Sequence, residues 1–111
     1  MTALSDLIAK LEAAPGDDPE LFEQIGQWAE RNIEGFSLFR WHELCAIGAF
    51  LCAALTLVPE GWHWTIEGPD PLKVVKPYCL LGLPGLRETE GNAATAALAL
   101  CIAALRAREA L

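Results

Sequence analysis

Positive charge is scarce in this chain: eight Lys and Arg stand against fifteen Asp and Glu, a formal net charge of −7 over 111 residues. A surface of that sign repels phosphates, so direct binding of a nucleic-acid backbone is not expected. Short C-x-x-C pairs are absent, and with them the usual ligand spacing of a zinc site. The four cysteines, Cys45, Cys52, Cys79 and Cys101, sit in apolar stretches. They read as reduced, mostly buried small hydrophobes. After His42-Glu43 the position that H-E-x-x-H needs is Ala46, and no Lys-Ser/Thr follows Gly82, Gly85 or Gly91 to make a phosphate loop. No structural metal and no cofactor is therefore expected. The longest apolar run is fifteen residues, short of the ~18–20 of a spanning helix, so no membrane span is expected. The start, MTALSDLIAKLEAAPGDD, lacks the basic and apolar regions of a signal peptide, which points to the cytoplasm.

What is present suits one globular domain over residues 1–111, 53% hydrophobic and 21% charged. The acidity is an N-terminal feature: residues 1–43 hold nine acids and three bases, a net of −6. Residues 44–58, LCAIGAFLCAALTLV, carry Thr56 as their one polar side chain. The run is too long for a strand and lacks period-2 alternation, so it predicts a central helix covered on every side. Leu4, Leu7, Ile8 and Leu11 mark an amphipathic helix over 2–14, stopped by Pro15-Gly16. Asp18 before Pro19 and Glu20 is a helix start, and Leu21, Phe22, Ile25, Trp28 and Ala29 line one side of the helix that follows. Ser37 is the candidate N-cap of the third helix.

Trp62, Trp64 and Ile66 alternate with His63, Thr65 and Glu67, the clearest strand signal, with the two tryptophans expected in the core. Residues 68–71, GPDP, make a turn, and a second strand follows from Val74, with Pro77 on an edge. Residues 81–92 read as a loop in which a third short strand can hide. Asn92 is the expected cap of a terminal helix running to about Arg108, with Leu98, Ile102 and Leu105 in one stripe. The fold class is therefore α+β, helices packed against a small antiparallel sheet.

Two stretches, LTLVPEGWHWTI (55–66) and EGNAATAALALCIAALRA (90–107), resemble the phage "ABA sandwich" domain of small phage and prophage proteins. The resemblance covers about the last two-thirds of the chain. It implies a helix–sheet–helix sandwich and a bacterial host. It implies no activity and no catalytic residues.

His42 and Cys45, three apart on a helix, can touch, but a surface histidine beside a buried cysteine accounts for them without Cys–His chemistry. Trp41, Tyr78, Leu81, Leu83 and Leu86 look harder to bury and form the candidate partner-binding patch. The expected function is thus that of a non-enzymatic phage accessory protein acting through a protein partner. An inhibitor of a host defence system, presenting its acidic surface, is the alternative. A small-molecule or nucleotide binder using Trp with Arg40 or Lys76 is another. A two-stranded sheet is marginal on its own, so a homodimer is expected unless a third strand completes the sheet within one chain.

Overall fold

The structure, a computed structural model, describes residues 3–67, 77–83 and 87–110. The expected turn at 68–71, the start of the second strand at Val74, Lys76 and Leu86 lie outside these residues. Among the described residues five helices pack against a three-stranded antiparallel sheet, the α+β class that the patterning predicts.

Helix α1 (Ala3–Ala13) buries Leu4, Leu7, Ile8 and Leu11, the apolar stripe of its sequence. Helix α2 (Pro19–Asn32) starts where its capping signal lies: the Asp18 carboxylate accepts the Glu20 N–H at 2.9 Å. It buries Phe22, Ile25, Gly26 and Ala29. Helix α3 (Leu38–Ala46) is capped by Ser37, whose Oγ accepts the Arg40 N–H at 3.2 Å.

The single helix predicted over 44–58 is a correction. Ala46 ends α3, and a second helix, α4 (Phe50–Leu55), starts after Ile47-Gly48-Ala49. Gly48 has φ +77, a left-handed conformation that closes a helix rather than extending it. The Gly48 N–H reaches the Cys45 carbonyl at 3.0 Å and the Ala49 N–H reaches the Leu44 carbonyl at 2.8 Å. These two bonds are the Schellman pattern. Hydrophobicity alone did not reveal the corner, because glycine is neutral on that scale and its backbone freedom is what matters.

The element that is covered on every side is α5 (Ala96–Ala110): every side chain from Leu98 to Leu105 is fully buried. Its cap is Thr95 rather than Asn92. The Thr95 hydroxyl accepts the Leu98 N–H at 3.1 Å and donates to Asp17 at 2.6 Å, while Asn92 closes a strand. One side of α5 packs on the sheet and the other meets α4 and α1. The sheet runs β1 (His63–Glu67), β2 (Tyr78–Leu83), β3 (Arg87–Asn92) in that order. The third strand is the one that the 81–92 loop reading left room for. It supplies within one chain the pairing that a two-stranded sheet would seek from a second copy.

Register divides the sheet into two faces. Trp64, Leu81 and Thr89 align across the strands, as do Ile66, Cys79 and Gly91. This face meets α5: Leu81 and Cys79 are fully buried and the Thr89 hydroxyl donates to the Ala103 carbonyl at 2.7 Å. Thr65, Leu80 and Glu90, with Glu67, Tyr78 and Asn92, form the other face. Trp62 is buried as expected, but Trp64 is 49% exposed. Its strand is the edge that α5 touches least, so the inward-facing indole runs past the helix that should cover it. Among the described residues no helix is long and apolar enough to cross a membrane.

Candidate partner-binding surface

Of the patch expected from Trp41, Tyr78, Leu81, Leu83 and Leu86, the last lies outside the described residues and the other four do not assemble on one surface. Trp41 is 1% exposed, the largest fully buried side chain. Its indole N–H donates to the Phe22 carbonyl at 2.9 Å, and its ring lies 5.9 Å from Phe22 and 5.7 Å from Phe36. A tryptophan flanked by polar residues looked exposed, yet the side of α3 that carries it is the side facing α2. Tyr78 and Leu81 are three residues apart on one strand, so the pleat sends them to opposite faces. Leu81 is buried under α5, and the Tyr78 hydroxyl donates to Glu90 at 2.8 Å on the outer face. Glu90, with Glu67 and Glu88 nearby, pushes the phenol above its ordinary value. Leu83 is half-buried at the strand end.

Besides Trp64 on the sheet edge, the large apolar side chains that reach solvent among the described residues are elsewhere. Phe39 is 74% exposed, Ile47 79% and Leu51 39%. Ile47 and Leu51 flank the corner where α3 turns into α4, and Phe39 stands on the first turn of α3. On α3, Trp41, Leu38 and Leu44 occupy the inward side, while Phe39, Glu43 and Ala46 follow one another at four- and three-residue steps on the outward side. The Schellman turn then ends the helix at Ile47 and leaves its side chain in solvent. Ala46 and Cys52 extend the exposed stretch. The helical spacing of Phe39 against Trp41 was the available signal.

The corner has a polar border. The His42 ring meets the Glu23 carboxylate at 2.8 Å, and the Gln27 amide donates to the same carboxylate at 2.7 Å. The Gln27 bond first, and the His42 bond second, hold the Glu23 carboxyl below its usual range. His42 is thereby turned to Glu23 and not to Cys45, so the adjacency considered for Cys–His chemistry is not used. Burial pushes the Cys45 thiol up, Cys79 up to about 11, and Cys101 well above the ordinary thiol value. These sulfurs are held away from the thiolate form that a nucleophile needs. Cys45 is half-buried and Cys52 exposed, so the expectation that all four cysteines are buried holds only for Cys79 and Cys101. Cys52 escapes because its helix, shortened by the corner, turns that side outward. Arg40 lines a recess of about 190 Å³ with Gly35, Phe36, Ser37 and Thr56 and does not meet Trp41's buried ring. Among the described residues no group of three or more His, Cys, Asp or Glu is placed to hold a metal.

No family model, no curated protein and no solved structure matches this chain.

Proposed function

We propose that this chain is a non-enzymatic phage or prophage accessory protein that acts in the bacterial cytoplasm by binding another protein, and that the α3–α4 corner is its contact surface. The phage assignment rests on the resemblance of residues 55–66 and 90–107 to the ABA sandwich domain. The contact assignment rests on one observation: Ile47, at the hydrogen-bonded corner, and Phe39, on the outward side of the helix that leads to it, are each about three-quarters exposed. Burying a side chain of this kind contributes about 1.5–3 kcal/mol, enough for two of them to anchor an interface. Glu23, His42 and Arg40 supply polar groups of the kind that surround such anchors.

The test is capture from bacterial lysate at low and high salt, with the native chain and with a Phe39→Ser, Ile47→Ser variant. Apolar anchoring predicts capture that survives high salt and is lost in the variant, whose thermal midpoint stays near that of the native chain. Capture unchanged in the variant contradicts the assignment. Capture that vanishes with salt alone points to the acidic surface, as the defence-inhibitor reading requires. If the partner is a second copy, light scattering reads twice the 12.0 kDa of the chain, and the variant returns it to one.

A further inference from the structure

A cleft of about 470 Å³ lies between α1 and α2, within the ~300–1,000 Å³ range of small-ligand sites. Its floor is apolar: Leu7 is buried and the Trp28 indole half-buried. On α2, Gln24, Trp28 and Arg31 follow one another at four- and three-residue steps, so they share one stripe along the cleft. Of the three bases in the first 43 residues, two, Lys10 and Arg31, line this cleft.

The charges of the cleft are unevenly committed. Glu23 is held by His42 and Gln27, and the Lys10 ammonium faces the Gln24 amide oxygen at 3.4 Å. Asp6 and Arg31 remain. Both line the cleft, and among the described residues neither side chain has an ion pair or a hydrogen bond, with each other or with any other group. The contact of Lys10 with Gln24 sets the two helices side by side. Asp6 and Leu7 of α1 and Trp28 and Arg31 of α2 all line the cleft that this contact spans. One uncommitted carboxylate and one uncommitted guanidinium thus line a cleft whose apolar side chains are Leu7 and the Trp28 indole.

From this placement we infer that the α1–α2 cleft binds a small zwitterion with a planar apolar body, that is, a free aromatic α-amino acid. The ligand's ammonium meets Asp6, its carboxylate meets Arg31 through the paired N–H geometry that guanidinium offers, and its ring lies over Trp28 and Leu7. The site is separate from the α3–α4 corner, and its occupation does not depend on the partner-binding reading.

The experiment is titration of the full chain followed by amide chemical shifts, with four probes: L-phenylalanine, 3-phenylpropanoate, phenethylamine and adenosine monophosphate. The second and third each keep the ring and one charge; the fourth is a planar anion without the ammonium. The inference expects shifts confined to α1 and α2, saturating with L-phenylalanine in the millimolar range or below. It expects about tenfold or more weaker binding of each other probe. Asp6→Asn and Arg31→Gln, both at exposed positions, should each weaken L-phenylalanine by a similar factor. Asp6→Asn should leave 3-phenylpropanoate unchanged, a distinction that mere loss of folding would not produce. No saturable shift with L-phenylalanine, equal binding of the zwitterion and the plain anion, or unaltered binding by both variants overturns the inference.

Discussion

Replacing Gly91 by alanine should part the sheet from its helix. A Cβ at this position would lie 2.9 Å from the Ile102 Cβ and 3.0 Å from the Ala103 nitrogen, and nearer still to the Ala99 carbonyl oxygen. Non-bonded carbon atoms prefer ~3.5–4.0 Å, so β3 and α5 must separate by about 0.5–1 Å at this contact. Neither neighbour can simply rotate away, since two of the three atoms belong to the helix backbone and the third is fixed to it. The same displacement strains the bond from Thr89 to the Ala103 carbonyl and the bond from Arg106 to the Glu90 carbonyl, now 2.7 and 2.8 Å. Overpacking of this kind costs about 1–3 kcal/mol. A weakened hydrogen bond adds about 0.5–1.5 kcal/mol. The expected total of about 2–4 kcal/mol is a large part of a domain's ~5–15 kcal/mol. Urea unfolding followed by tryptophan fluorescence measures it, with the midpoint falling and the slope unchanged. Gly16→Ala is the control, because a Cβ there meets nothing within 4 Å. It should move stability by no more than about 0.5 kcal/mol. If Gly91→Ala costs no more than Gly16→Ala, α5 and β3 are not in the close contact described.

Trp41→Phe should cost about 1–3 kcal/mol in the same assay, because it removes the buried indole N–H bond to the Phe22 carbonyl and leaves unfilled space where the larger ring packed. Phe50→Glu should unfold the domain, since the Phe50 ring lies 4.6 Å from Phe22 and an unpaired charge there has no partner. Leu51→Glu should stay folded, because its side chain already reaches solvent; circular dichroism of the pair distinguishes them. A thiol reagent near neutral pH should label Cys52 quickly in the native chain and Cys79 and Cys101 only on unfolding, the Cys79 thiol being pushed up to about 11. Mass spectrometry of the labelled peptides checks this, and fast native labelling of Cys101 would contradict the position of α5.

Local signals were read well from the sequence where they were chemical. Asp18-Pro19 and Ser37 opened helices because each offers an oxygen to the free N–H groups of a first turn. The stripe from Leu4 to Leu11 was legible because its spacing is set by the helix itself. Failures came where a backbone or a neighbour decides. Gly48 turned an apolar run into two helices through its φ, which no hydrophobic pattern encodes. Thr95 took the capping role from Asn92 because β3 uses Asn92 first. Trp41 and Trp64 exchanged expectations, the first hidden by α2 and the second left beyond the reach of α5. The proposed contact surface was not legible for the same reason: exposure of Ile47 depends on where the corner falls.

The most direct measurement of the partner-binding account is site-specific photo-crosslinking in the bacterial host, with a photoreactive side chain at position 47 in one variant and at position 65 on the outer sheet face in another. The account predicts a single protein adduct of defined mass from position 47 and none from position 65. An adduct from position 65 with none from 47 would contradict it.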